Sequence, residues 1–98
     1  MPVADVLYLK AELKYVTART REREYLIEES LAQLEQEFAQ TFLRIHRSCL
    51  VAREEIAGVE RDATEEADGH WVVLLREWPE KLPVSRRQWQ QVKAALKS

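Results

Sequence analysis

Cysteine is nearly absent from this chain. Cys49 is the only one, which excludes an intramolecular disulfide and any multi-cysteine zinc site and points to a reducing cytoplasm. Two glycines and three prolines leave no phosphate-cradling glycine loop, no dinucleotide fingerprint and no low-complexity linker. No stretch approaches the ~20 apolar residues of a membrane span, and no basic-then-apolar leader opens the chain. Nothing calls for a cofactor, a metal or a small-molecule substrate. What remains is 98 residues, 46% hydrophobic and 33% charged, enough for one domain around one core.

Charge of one sign is also lacking: the net charge is −2, which by itself argues against a nucleic-acid partner. The distribution along the chain reverses that argument. Residues 54–80 hold nine acids and only Arg61 and Arg76 as bases, whereas residues 81–98 hold five bases and no acid. Arg44, Arg47 and Arg53 form a second acid-free stretch over residues 44–53. A DNA-binding protein needs a local basic surface, not a basic average.

Hydrophobic periodicity predicts strands over Asp5–Ala11, Lys14–Thr20 and Arg23–Glu28, with a turn near Arg21–Glu22. In the second strand Tyr15, Thr17 and Arg19 would share one face. Ser30 has the look of a helix N-cap, with Gln33 at the capping-box spacing and Leu31, Leu34 and Phe38 at helical intervals, so a helix is expected to run to about Gln40. Strands Phe42–His46 and Cys49–Ala52 follow, then a hairpin of Glu55–Arg61 and His70–Arg76 whose acidic loop ends in Asp68-Gly69. Pro83-Val84-Ser85 leads into a second helix capped by Ser85, with Trp89, Val92 and Leu96 as its buried stripe.

Arg86 and Arg87 would occupy the first turn of that last helix, where the macrodipole penalises cations by roughly 0.3–1 kcal/mol. A helix N-terminus with added arginines is a seat for phosphate or for a guanine edge; the plain alternative is a solvated helix end. In Arg44–Ser48, alternation puts Arg44, His46 and Ser48 on one face, and a turn at Arg47–Ser48 would free Arg47. A lone His46 reads more simply as a structural hydrogen-bonding group than as a ligand, because His70 lies 24 residues away without a ligand-spaced partner. A Cys49–His46 nucleophilic pair is weak, since Cys49 sits in an apolar run where a thiol is a small core residue. The paired acids neighbour no nucleophile, and Trp71, Trp78 and Trp89 suit packing better than base stacking. The chain does not read as an enzyme.

Four segments, ADVLYLKAELKYVTAR (4–19), LIEESLAQLEQEF (26–38), FLRIHRSCLVAREEI (42–56) and LPVSRRQWQQV (82–92), together resemble the LytTR type of DNA-binding domain, most closely its AlgR-like members. The resemblance covers nearly the whole chain, and Arg-x-His-Arg-Ser followed at the right distance by Pro-Val-Ser-Arg-Arg is its most specific part. It implies a mainly β fold: an elongated stack of small antiparallel sheets with one central and one C-terminal helix. It implies an output domain of a two-component response regulator whose loops enter successive major grooves of double-stranded DNA, at a repeat site bound by two protomers. Base-contacting positions of the family fall on Tyr15, Arg47 and Arg86. Lys14, Ser48 and Arg87 stand beside them as phosphate contacts. Family domains begin some residues earlier, so a missing first strand and a missing receiver domain are expected, with an exposed edge that favours a homodimer. The rival reading is a protein-interaction or dimerisation module that uses the acidic 54–80 segment and has no DNA affinity.

Overall fold

The computed structural model describes residues 3–62 and 70–97. The elements within them are β1 (Val6–Ala11), β2 (Val16–Thr20), β3 (Glu24–Ile27), α1 (Leu31–Glu37), β4 (Phe42–His46), β5 (Cys49–Ala52), β6 (Ile56–Asp62), β7 (His70–Leu75), β8 (Trp78–Val84) and α2 (Arg86–Lys97). The strands form a five-stranded antiparallel sheet in the order β3-β2-β1-β5-β4 and a three-stranded antiparallel sheet in the order β6-β7-β8. The architecture is mainly β with a central and a C-terminal helix, as expected. The body is only mildly drawn out, at 36 × 30 × 25 Å.

The larger sheet is covered on both faces, which is why its central strands read as unbroken apolar runs rather than alternating ones. On one face Leu31 and Leu34 of α1 pack on Val6, Leu9, Val16, Ala18, Phe42 and Leu50. On the other, Leu7, Tyr8, Leu43, Ile45 and Val51 meet Val73, Leu75, Leu82 and Val84 of the smaller sheet and Val92 of α2. In β1 a register shift between Val6 and Tyr8 against β2 inserts Leu7 as a bulge. The bulge sends Val6 to the α1 side and both Leu7 and Tyr8 to the other, feeding the two cores from one strand.

Both helices carry the caps read from sequence. Ser30 Oγ accepts from the Gln33 backbone N–H at 3.1 Å, and Ser85 Oγ accepts from that of Gln88 at 3.3 Å. α1 ends at Glu37, three residues short of Gln40. Phe38 leaves helical geometry (φ −121°), its carbonyl accepts from the N–H groups of Thr41 and Phe42, and Arg53 takes the Ala39 carbonyl, so the chain turns directly into β4. β2 begins at Val16, so Tyr15 belongs to the preceding turn and not to a strand face. β8 was not expected at all; it runs through Pro79 and Pro83 as an outer strand, where a missing N–H is tolerated. The β6–β7 hairpin is as read, while its Asp68-Gly69 turn lies outside the described residues.

Candidate nucleic-acid interface

Three connections meet at one end of the molecule. The first is the β1–β2 turn, closed by the Glu12 N–H donating to the Tyr15 carbonyl at 2.8 Å. Because β1 pairs with β5, this turn lies beside the β4–β5 turn, and the Ala11 N–H donates to the Ser48 carbonyl at 2.8 Å. The third is the start of α2: the Ser85 N–H donates to the Ile45 carbonyl at 2.9 Å, and Gln91 Nε2 reaches the Arg44 carbonyl at 3.3 Å. Tyr15 with Lys14, Arg47 with Ser48, and Arg86 with Arg87 are therefore carried on three neighbouring connections. Lys14, Tyr15, Arg47, Arg86 and Arg87 are exposed, and Ser48 is partly buried.

The middle turn is held from behind. Arg44 donates through Nε to the His46 carbonyl at 2.9 Å and through Nη2 to the Arg47 carbonyl, while Nη1 pairs with Glu35 of α1 at 2.6 Å. Three fixed directions of one guanidinium thus tie the turn to the helix behind it. Sequence pattern placed Arg44 on a face with His46 and Ser48 but gave no sign that it grips the turn itself. That role depends on Glu35, nine residues earlier, arriving through the packing of α1. Arg47, expected to be released by a turn at Arg47–Ser48, is exposed on that turn.

His46 Nδ1 accepts from the Ser48 N–H at 3.2 Å and lies 3.0 Å from Ser48 Oγ. An Nδ1 that accepts is unprotonated, so the ring carries its proton on Nε2. Burial and then the charges of Arg47 and Arg44 hold its pKa below the usual 6.5, in keeping with a neutral ring. Cys49, in contrast, is core: burial pushes its thiol up to about 12, and its sulfur faces the Leu50 carbonyl rather than His46. No thiolate–imidazole pair exists to act as a nucleophile. Trp71 and Trp89 stack at 4.3 Å with planes 7° apart, and Trp78 lies under the Arg19 guanidinium at 4.9 Å, so all three are engaged in packing. Among the described residues, no group of three or more His, Cys, Asp or Glu gathers as a metal would require, and no helix is long and apolar enough to cross a membrane.

Three acids of the 54–80 segment have internal partners. Glu55 pairs with Arg21 at 2.7 Å and Glu60 with Lys81 at 2.7 Å. Glu80 accepts from Tyr8 Oη, from Trp78 Nε1 and from Lys10 Nζ at 3.3 Å, bridging the two sheets.

A family model described as the LytTr DNA-binding domain matches residues 1–97. The chain belongs to the LytTr DNA-binding domain family. DNA binding is accordingly its class of function. The positive alginate biosynthesis regulatory protein of Pseudomonas aeruginosa is 41% identical over 88 residues, which are 89% of this chain and 34% of that protein. This LytTr domain thus spans about a third of the length of that curated relative. A solved LytTr DNA-binding domain of a putative methyl-accepting/DNA response regulator from Bacillus cereus superposes with a TM-score of 0.83, covering 100% of this chain and 86% of that one. At 22% identity, that likeness speaks for the fold.

Proposed function

We propose that this LytTr domain binds double-stranded DNA sequence-specifically, as the output domain of a two-component transcriptional regulator, by inserting its clustered turns into successive major grooves. The observation that carries this reading is the pair of backbone hydrogen bonds, Ala11 to Ser48 and Ser85 to Ile45, that brings three base-bearing connections to one end. Tyr15, Arg47 and Arg86 are the base readers in this proposal. Arginine pairs bidentately with guanine at roughly 1–3 kcal/mol of discrimination per good contact. Lys14, Ser48 and Arg87 touch phosphates and fix register. Ser48 takes that role only if its hydroxyl proton turns from His46 toward the backbone, since Nδ1 is its present acceptor. The site is a repeat bound by two protomers.

Support also comes from what the rival loses. Of the nine acids in the 54–80 segment, Glu55, Glu60 and Glu80 are engaged within the fold, which withdraws them from a partner-binding acidic face. The test is a gel-shift panel on duplexes selected from a random pool, repeated over several salt concentrations. Arg86→Ala should relax preference at one position per half-site. Lys14→Ala should weaken all duplexes alike and reduce the salt slope by about one. Absence of salt-dependent duplex binding by the unaltered chain would overturn the proposal and leave the interaction-module reading.

A further inference from the structure

Leu13 is wholly exposed, at 103% relative exposure, whereas Leu7 and Leu9 of the preceding strand are buried. A single exposed leucine is ordinary on a protein surface. This one differs by position. It and Lys14 are the two central residues of the β1–β2 turn that Glu12 and Tyr15 close, so it stands at the outermost point of a two-stranded ribbon. Neither central residue has a positive φ, so the turn places no glycine-like demand on its tip. A polar residue would serve a solvated turn at least as well.

The ribbon's surroundings narrow the choice of what Leu13 meets. Its base is tied to the Arg47–Ser48 turn through Ala11 and Ser48, which puts the tip on the same end as the arginines. Beside it a shallow groove is lined by Lys14 and Tyr15 on the turn side and by Glu12, Glu28 and Glu29, whose carboxylates repel a phosphate backbone and leave the tip as the part that approaches DNA. The tip itself carries one cation and one apolar side chain. A major groove admits a two-stranded β-ribbon, and the apolar feature it offers to such a tip is the 5-methyl group of thymine.

We infer that Leu13 is a specificity-determining residue that packs its isobutyl group on a thymine methyl in the major groove entered by the β1–β2 turn. The inference rests on the DNA-binding reading above and adds a base class that the arginines do not read. Guanine is chosen by hydrogen bonds to O6 and N7, whereas Leu13 selects for a methyl group and against the bare edge of cytosine.

The experiment uses the full chain and a duplex it selects from a random pool. Each thymine is replaced in turn by deoxyuridine, which removes the 5-methyl group and leaves every hydrogen-bonding atom in place. Affinity should fall about fourfold at one position per half-site, the factor expected for losing one buried methyl contact. Leu13→Ser should bind the thymine duplex about fourfold more weakly and show no further loss on uracil replacement at that position. The side chain touches nothing in the fold, so thermal unfolding of the variant should match that of the parent. If no thymine is sensitive, or if Leu13→Ser keeps the parent's sensitivity, Leu13 has no such role although the domain still binds. If the parent selects no duplex, the DNA-binding reading falls and Leu13 with it. Those two failures are told apart by the unaltered chain alone.

Discussion

His46 shows how one side chain couples the Arg47–Ser48 turn to pH. Its Nδ1 accepts from the Ser48 N–H, and burial together with Arg47 and Arg44 keeps its pKa below 6.5. The unfolded chain therefore binds the proton more readily than the folded one. The linkage sign follows: the stability that the neutral ring contributes is complete above the ordinary value of 6.5 and is lost as pH falls through the lower folded value. Urea midpoints should decline over the window that opens as pH falls below 6.5. His46→Asn, whose Oδ1 takes the place of Nδ1 without titrating, should show a flatter profile over that window. A parent and variant that decline in parallel would assign the loss to other groups.

The elements differ in how far they could be read from residues, and the differences have physical causes. Ser30 and Ser85 were legible as caps because a hydroxyl three residues before a free N–H acts locally. β4 and β5 came out with correct ends, since a buried strand bounded by a polar pair needs no distant information. β8 was hidden because Pro79 and Pro83 argue against a strand, and only its outer position in the sheet makes them acceptable. The end of α1 was misread because Phe38 continues the apolar spacing of Leu31 and Leu34 but serves the turn into β4, meeting Phe42 edge-on at 6.2 Å. α2 is seated by Val92 in the core and by the stack of Trp89 on Trp71. Trp89→Ala should cost about 3 kcal/mol in denaturant unfolding and remove the near-ultraviolet dichroism of the stacked pair. A loss confined to a few tenths would mean that Val92 alone seats the helix.

At the scale of the whole molecule, the candidate site is a consequence of long-range pairing. Charge singled out Arg47 and Arg86 in the sequence, but their nearness to Tyr15 comes from β1 pairing with β5 and from Ser85 reaching Ile45. Separations of some forty residues leave no local trace. The relative placement of the two sheets is then held by polar latches. Glu80 joins β8 to Tyr8 and Lys10 of β1, and Arg21 joins the β2–β3 turn to Glu55 and to the carbonyls of Arg76 and Glu77. Burial pushes the Glu80 carboxyl upward, yet the hydrogen bonds from Tyr8 and Lys10, the Lys10 charge and Trp78 outweigh it and bring the pKa below 4.5. Its contribution is therefore complete above 4.5 and vanishes as pH falls through the lower folded value. Glu80→Gln should lose about 1 kcal/mol at neutral pH, a modest figure because the pair is partly exposed, and the deficit should shrink as pH falls below 4.5. A deficit that stays constant as pH falls would make the loss steric rather than ionic.

The two prolines that concealed β8 have a consequence for how copies of the domain coexist. Pro79 and Pro83 are exposed on an outer strand, and neither has an amide proton to offer an incoming chain. That border of the smaller sheet is a poor template for adding a neighbour's strand. Copies of the domain brought close together are thereby kept from fusing along it into a continuous, irreversible ladder.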